Sequence, residues 1–320
     1  DQERWGPRSS TFADVTSQAH AVILAGGTLK PFAHMAAELL TDPDYLKTAS
    51  LADTRDYSTP VTSCPNFVAF SCDHVVPPDQ VFALALSHGP TGGGLDFTYR
   101  SRSLDSTMDE LGRTLVNLLN VVPAGLVVFL PSYTYEGQLI RRLKATKTWD
   151  LMKSKKRIFR EPKDAKDLDL VLGNYEREVK REGSQGCCLF CVVGGKMSEG
   201  INFGDDMARC VVVVGLPYPD SSDAELREKM DFLDSTAGKG EGGITGSSYY
   251  FNLCMRAVNQ SIGRSIRHIN DYSAIVLADR RYVTDKKVWA GLPGWIRKGG
   301  GPGRPLSPTS PPRPTPSYWR

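Results

Sequence analysis

Five short apolar runs, separated by helix-like segments, constrain the fold of this chain more than any other feature of its sequence. The runs are rich in valine and isoleucine and lack the polar alternation of a half-exposed strand. Such runs are typical of strands buried on both faces of a parallel sheet. They are "AVILA" from Ala21, "GLVVFL" from Gly125, "CCLFCVV" from Cys187, "CVVVVGL" from Cys210 and "SAIVLAD" from Ser273.

Amphipathic segments fill intervals between these runs, and a further strand-like piece, "VFALAL", begins at Val81. Strands that alternate with helices predict an α/β fold, a doubly wound and mostly parallel sheet flanked by helices. The apolar helix positions are Met108, Leu111, Leu115, Leu118 and Leu119 in one segment, and Leu168, Leu172, Tyr175 and Val179 in another.

The composition sets the size and class of the protein. With 320 residues, of which 40% are hydrophobic, the chain can bury the core of one large domain or two modest ones. Its seven cysteines show no disulfide-framework spacing and predict ordinary buried thiols in a reducing compartment. The histidines show no metal-ligand spacing, so we predict no metal site. No run of 18 apolar residues occurs, which predicts no membrane span.

Both ends of the chain differ from its middle. The start, "DQERWGPRSSTF", lacks the apolar core of a signal peptide and does not begin with Met, so we expect a piece of a longer protein. The end, from Gly299, contains seven prolines and is predicted to be disordered. Binding of this tail to an SH3-like or WW-like module is the alternative.

A basic run covers residues 141–160, where nine Lys or Arg residues face the single acidic residue Asp150 and give a local charge of +8. A solvated helix face followed by a loop explains such a run, and contact with a nucleic-acid backbone is the sharper alternative.

Polar residues follow the apolar runs, where ligands bind in open parallel sheets. Gly27 and Thr28 follow the first run, Ser132 and Tyr133 the second, and "GGKMSEGINFGD" at 194–205 the third. We expect these residues to converge on one edge of the sheet. The third segment is not a phosphate-binding P-loop, because Met and Phe replace its hydroxyl residue and first glycine. The carboxylates of "MDEL" at 108–111 are interpreted as a solvated helix surface.

One segment places an amide and two guanidinium groups at offsets of four and three residues, namely Gln260, Arg264 and Arg267. In a helix all three lie on one face and can contact one anionic ligand. The opposite face is apolar and consists of Phe251, Met255, Val258, Ile262 and Ile266.

Four separated motifs together resemble the C-terminal helicase motifs of XPD-like superfamily 2 DNA helicases. They are "AVILAGGT", "VVFLPSY", "GGKMSEGINF" and "NQSIGRSIRH…IVLADRRY". The blocks "HVVPPDQ", "GGKMSEGINF" and "AVNQSIGRSIRH" are most similar to the chromosome-loss-type DEAH-box members, which act in sister-chromatid cohesion. The resemblance implies a lead-in at 1–19, a second RecA-like motor domain at 20–298 and an unrelated tail at 299–320.

The resemblance also implies a role for each matching residue. Arg267 matches the arginine finger of helicase motif VI, Arg264 a neighbouring phosphate contact and Gln260 a polar organiser. Motif V, which links the nucleotide to DNA, is matched by Glu199, Gly200 and Asn202, although many relatives carry Asp at the last position. Motif III is matched by Gly27 and Thr28, and motif IV, with its single-stranded DNA contacts, by Ser132 and Tyr133; the basic run adds Lys153, Lys155 and Lys156.

Further expectations follow from this resemblance. ATP and Mg²⁺ are bound mainly by a first motor domain that this chain lacks, so the chain alone is not expected to hydrolyse ATP. The iron–sulfur cluster of the family belongs to that missing domain as well. Expected partners are single-stranded or forked DNA, the missing domain, and cohesion or replication factors, in the nucleus.

Two other hypotheses stay open at this point. The chain can be a non-catalytic scaffold that keeps the fold and binds nucleic acid or a partner protein. It can also be an unrelated doubly wound binder of a nucleotide or flavin, because fold class alone does not determine function.

Overall fold

A computed structural model describes residues 8–27, 29–39, 61–64, 67–69, 76–77, 80–197, 201, 203–237 and 244–299. The chain divides into two compact units, one formed by 1–73 with 218–256 and the other by 74–217 with 257–320. The predicted boundaries at 19 and 298 stay predictions, and the proline-rich tail from residue 300 lies outside the described residues.

The second unit contains a six-stranded sheet in the order β3-β8-β7-β4-β6-β5, with every neighbouring pair parallel. This sheet confirms the predicted α/β architecture, including the strand at "VFALAL". The strands are β3 Val81–Leu86, β4 Gly125–Leu130, β5 Arg157–Arg160, β6 Cys187–Val192, β7 Cys210–Val214 and β8 Ser273–Ala278.

Burial explains why the apolar runs form the inner strands. Every residue of β4, β6, β7 and β8 is buried. Since side chains alternate between faces, only a run that is apolar throughout can fill both layers of core. The sheet is in simple register, with Gly125 opposite Cys187 and Leu126 opposite Cys210.

Helices flank the sheet, and their apolar faces agree with the sequence pattern. Met108, Leu111, Leu115 and Leu119 are buried in one predicted helix, and Tyr175 in another. The helices are α1 Arg8–Gln18, α2 Phe32–Leu39, α3 Asp105–Val121, α4 Tyr133–Ala145, α5 Thr148–Lys155, α6 Leu168–Lys180, α7 Ala224–Ala237, α8 Gly246–Ile262, α9 Arg281–Thr284, α10 Lys286–Ala290 and α11 Gly294–Gly299, with 3₁₀ turns at Ala165–Asp167 and Asp205–Ala208.

The first unit contains α1, α2, α7, most of α8 and a short antiparallel pair, β1 Val61–Cys64 with β2 Phe67–Ala69. Aromatic contacts join its elements: the ring of His34 stacks on Tyr249 at 6.4 Å, and Tyr218 packs on Tyr250 at 5.0 Å.

The predicted strand at residues 21–25 is wrong. These residues have no regular secondary structure, and Ile23 is 88% exposed. Apolar composition favours a buried strand only where neighbouring strands supply hydrogen-bond partners, and no described strand pairs with this segment. The sequence analysis also misses β5, because this edge strand begins and ends with exposed arginines.

Two remaining features concern the whole chain. Cys187, Cys188, Cys191, Cys210 and Cys254 are free, buried thiols, as predicted for the cysteines. None of the described helices is long and apolar enough to cross a bilayer.

Candidate functional site

The segment with the amide and two guanidinium groups is not one helix. Helix α8 ends at Ile262, so Gln260 lies in its last turn while Arg264 and Arg267 lie beyond it. The amides of Arg264 and Ser265 donate to carbonyls three residues earlier, at 3.3 and 3.4 Å, which tightens the helix end into a turn. The predicted single helical face is therefore wrong.

The apolar side of this segment agrees better with the prediction. Met255, Val258, Ile262 and Ile266 are buried, and Phe251 is half-buried. The buried side continues past the helix end to Ile266, so hydrophobic packing fixes the turn as well as the helix.

The two arginines remain neighbours although they leave the helix. Partial burial lowers the pKa of Arg267, and the nearby positive charge of Arg264 lowers it further, while Asp271 acts in the opposite direction. Gln260 and Arg267 are exposed and Arg264 is half-buried. Arg264 and Arg267 thus lie in one short stretch of chain after α8, close enough for their charges to interact, which suits a site for an anion.

The arginines lie at the amino edge of the sheet. Their segment runs directly into β8, beside the turn that precedes β7: His268 Nε2 lies 3.0 Å from Asp205 Oδ1. A Cβ atom added to Gly204 would lie 3.2 Å from Cγ of Arg267. The predicted polar residues therefore do not share one edge with the arginines, because α8 returns the chain to the start of the next parallel strand.

A buried carboxylate organises this amino-edge cluster. Asp271 Oδ1 accepts hydrogen bonds from Arg209 Nη1 at 2.8 Å and from the amide of Tyr272 at 2.9 Å. Its Oδ2 accepts from the amides of Arg267 at 3.1 Å and Asp205 at 3.4 Å. The side chain of Asp271 has no exposed area.

A second buried carboxylate organises the carboxyl edge. Glu161, directly after β5, accepts hydrogen bonds from Tyr133 Oη and the amide of Val192, both at 2.8 Å, and from the amide of Met197 at 3.1 Å. Burial, together with Glu161, raises the pKa of Tyr133, so this phenol remains a donor. Ser132 caps α4 by accepting from the amide of Tyr135 at 3.1 Å. Ser132 and Tyr133 thus lie at the predicted edge.

The connection from β6 to β7 joins the two edges of the sheet. It leaves β6 beside Glu161 and reaches β7 beside Asp271, with Ile201 and Phe203 buried along its course. Glu199, Gly200 and Asn202 lie outside the described residues, as does Thr28. Gly27 is exposed in the first unit, within the segment that forms no strand.

Lys156 does not fit the predicted DNA contact. It is 3% exposed, and its ammonium group donates to the carbonyls of Ala124 and Gln185, both at 2.8 Å. Burial lowers the pKa of this ammonium. A group turned inward in this way cannot contact a phosphate backbone without unfolding its surroundings. Lys153 is exposed and Lys155 half-exposed, so both remain available.

Ion pairs neutralise much of the remaining basic run. Arg142 contacts two carboxylates of α3 at 2.7 and 2.6 Å, Arg160 contacts Glu136 at 2.7 Å, and Arg157 contacts Glu178 at 3.0 Å. Lys153 contacts Asp150 on its own helix at 2.9 Å. The run therefore presents less positive charge to a ligand than its composition indicates.

The carboxylates of "MDEL" also differ from the sequence interpretation. Glu110 is 2% exposed and accepts from the amide and hydroxyl of Thr91, each at 2.7 Å, and from Arg113 at 2.8 Å. Its solvated placement is wrong, because the loop after β3 folds over this position of α3.

Within the part of the chain that the structure describes, the candidate donor sets do not fit a metal ion or an iron–sulfur cluster. Burial raises the pKa of Cys187 to about 11 and of Cys210 to about 12, whereas cluster ligands are thiolates. Asp205, His268 and Asp271 cluster within 4.8 Å, but Arg209 and backbone amides already occupy both oxygens of Asp271.

Sequence reasoning misses Arg209, Asp271 and Glu161. Arg209 and Asp271 are charged residues just before the apolar runs of β7 and β8, whereas Glu161 follows the arginine-flanked strand β5, which the sequence analysis does not identify. This position is the available signal, since charge next to a buried strand requires a partner. The identity of each partner depends on which strands become neighbours.

Comparison with known proteins adds independent information. Residues 115–299, more than half of the chain, match the family described as the helicase C-terminal domain. The chain is 43% identical over 291 residues to the ATP-dependent DNA helicase DDX11 of Danio rerio, covering 89% of this chain and 31% of that protein. It is 39% identical over 297 residues to the ATP-dependent DNA helicase CHL1 of Scheffersomyces stipitis, covering 91% of this chain and 33% of that protein.

The chain thus spans about a third of the length of these curated relatives. A solved structure titled "XPD_Helicase" aligns with a TM-score of 0.41 and 22% identity, over 65% of this chain and 33% of that one.

Proposed function

The chain belongs to the helicase C-terminal domain family, and from that premise we propose that it is the C-terminal motor domain of an ATP-dependent DNA helicase. The observation that carries this proposal is the placement of Arg264 and Arg267 in the turn that follows α8, with Arg267 packed against Gly204 of the connection from β6 to β7. The relatives it resembles are named ATP-dependent DNA helicases.

The chemistry of phosphoryl transfer explains why two neighbouring guanidinium groups suit this role. Negative charge spreads over the equatorial oxygens of the transferred phosphoryl group, and an arginine supplied from a second body stabilises it. In this proposal Arg267 is that arginine finger, Arg264 contacts a neighbouring phosphate, and Gln260 orients the polar end of α8. ATP and Mg²⁺ are held mainly by a first motor domain outside this chain.

DNA contact belongs to the carboxyl edge in the same proposal. Ser132 and Tyr133 begin α4, where backbone amides and a half-buried aromatic ring suit phosphate contact and base stacking. The connection from β6 to β7, with Glu199, Gly200 and Asn202, links this edge to the arginines. Closure of two motor domains around each ATP then moves the protein along single-stranded DNA and separates a fork.

The finer assignments rest on the resemblance to the chromosome-loss type. They comprise action in genome maintenance and chromatid cohesion, a nuclear location, cohesion or replication factors as partners, and an iron–sulfur cluster in the domain outside this chain. This motor domain supplies arginines to the nucleotide but no phosphate-binding loop, so the chain alone does not turn over ATP.

Replacing Arg267 in the full-length protein that carries this chain tests the proposal. Arg267→Ala should lower kcat for DNA-stimulated ATP hydrolysis by about 10³-fold or more, because an arginine finger contributes 10³ to 10⁵. Affinity for single-stranded DNA, measured by fluorescence anisotropy, should stay within a few fold. Arg256→Ala is the matched control, since Arg256 is an exposed arginine on α8, the helix that precedes the turn of Arg267.

Near-normal turnover by Arg267→Ala contradicts the proposal. It favours the scaffold alternative, in which the fold binds nucleic acid or a partner without taking part in ATP hydrolysis.

A further inference from the structure

A buried ion pair lies directly beneath the backbone of Arg267. Arg209 and Asp271 are 6% and 1% exposed, and their side chains meet at 2.8 Å. Both oxygens of Asp271 are occupied, one by Arg209 and the amide of Tyr272, the other by the amides of Arg267 and Asp205. Such a carboxylate has no free acceptor for a ligand, so its role concerns the backbone around it.

The pair connects two chain segments that the fold brings together. Arg209 precedes β7, and besides Asp271 it contacts Asp206 at 2.9 Å and the carbonyl of Tyr272 at 3.0 Å, with its guanidinium 3.9 Å from the centre of the Tyr272 ring. Asp271 precedes β8. The end of the β6 to β7 connection and the turn that carries Arg267 are thereby fixed to each other.

Close packing makes the position of the Arg267 side chain sensitive to the position of the β6 to β7 connection. Gly204 lies against the aliphatic part of Arg267, where an added Cβ would come within 3.2 Å of Cγ. Two contacts therefore determine where the Arg267 guanidinium projects. One is the hydrogen bond from the Arg267 amide to Asp271, and the other is the packing of the Arg267 side chain against Gly204.

We propose that Asp271, held by Arg209, is a positioning residue for Arg267 that fixes the arginine finger relative to the β6 to β7 connection. The inference rests on the proposed function. Asp271 acts through Arg267 and does not touch nucleotide itself. Misplacement of a catalytic group by about 1 Å costs on the order of 10²-fold in rate, so the pair affects turnover well beyond its effect on folding.

Asp271→Asn in the full-length protein is the direct test. The amide nitrogen cannot accept the hydrogen bonds of the oxygen it replaces, so one pair of donors is left without an acceptor. We expect a 10- to 100-fold fall in kcat for DNA-stimulated ATP hydrolysis with little change in KM. The same change is then made in a protein that already carries Arg267→Ala, and single-turnover ATP hydrolysis is used because it resolves slow rates. In that background Asp271→Asn should lower the rate less than twofold, because Asp271 acts through the Arg267 side chain, which is absent.

Glu110→Gln is the matched control, since Glu110 is an equally buried carboxylate with hydrogen bonds to Thr91 and Arg113. It should lower the thermal unfolding midpoint without changing kcat. If Asp271→Asn does not fold, Arg209→Lys replaces it, because this change keeps the charge and removes the guanidinium fork. Arg209→Lys is then compared with and without Arg267→Ala, and the same fall in kcat is expected only when Arg267 is present.

The outcomes separate the inference from the proposed function. A fall in rate that is equal with and without Arg267 overturns the positioning role alone, and so does normal kcat in a folded Asp271→Asn protein. Normal turnover by Arg267→Ala overturns both.

Discussion

Single buried charges show most clearly how context decides the role of a residue. Lys156 and Glu110 belong to segments that the sequence places in solvent, yet each lies inside the fold and makes at least two hydrogen bonds there. A charged residue is almost never fully buried without a partner. The partners of these two, Ala124 and Gln185 for one and Thr91 for the other, come from distant parts of the chain.

Glu161 provides a prediction at the residue scale. Glu161→Ala removes the acceptor for Tyr133 Oη and for the amides of Val192 and Met197. Each buried donor left without a partner costs about 1–3 kcal/mol, so the free energy of unfolding should fall by at least that amount in urea denaturation. Affinity for single-stranded DNA should fall as well, since Glu161 no longer holds the start of α4 and the segment after β6 in place.

Tyr133→Phe is the control for this change. It removes one hydrogen bond of the three and leaves both amides paired, so it should lower the free energy of unfolding by about 0.5–1.5 kcal/mol. Equal decreases in the two variants would show that the carboxylate does not hold the two amides.

At the scale of elements, helix α8 shows how a local pattern extends past the end of a helix. The apolar spacing continues to Ile266, although the hydrogen-bonded helix ends at Ile262. Burial follows the tertiary contacts, whereas the helix ends where the amides of Arg264 and Ser265 bond three residues back. The apolar spacing therefore predicts the buried positions of this segment but not the secondary structure of Arg264 and Arg267.

The contact between α3 and α4 provides a prediction at this scale. Arg142 of α4 bonds Asp109 of α3 through Nε and Nη2 at 2.7 and 2.6 Å, and Asp105 at 2.7 Å. The hydrogen bonds from Arg142 hold the pKa of Asp109 below its ordinary value of 3.8. Asp109→Asn should lower the urea midpoint at pH 7 more than Asp105→Asn, whose side chain is 67% exposed.

The pH dependence of this contact has a definite sign. The folded pKa of Asp109 lies below the unfolded value, so its stabilisation is fully present above about 3.8 and disappears as the pH falls through the lowered folded pKa. The difference between wild type and Asp109→Asn should therefore shrink in acid. A difference that does not shrink as the pH falls below about 3.8 would mean that packing, and not charge, joins these helices.

At the scale of the whole molecule, the two compact units differ in how well the sequence predicts them. The second unit contains every buried apolar run that forms a strand. The first unit contains the run at 21–25, which forms none. The pattern of apolar runs predicts strands where the sheet supplies a neighbouring strand and misleads at 21–25, where no described strand pairs with the segment.

The charge of the basic run at 141–160 provides the last prediction. In the full-length protein, Lys153→Ala with Lys155→Ala should reduce the slope of log affinity for single-stranded DNA against log salt by about 0.7 for each phosphate that these two lysines neutralise. Lys156→Met is the matched control, because its ammonium already bonds two carbonyls, and it should leave the slope unchanged. An unchanged slope in the double variant would make the run an ordinary solvated surface.

The sequence by itself determined the parallel sheet, because strands buried on both faces are apolar on both faces, as β4, β6 and β7 are throughout and β8 is after Ser273. It also determined which side of the Gln260 segment is buried. Only the tertiary structure decided that Arg209 meets Asp271, that Glu161 meets Tyr133 and that Lys156 turns inward. Partners of buried charges lie tens of residues apart in the chain, and sheet order, which local periodicity does not encode, brings them together.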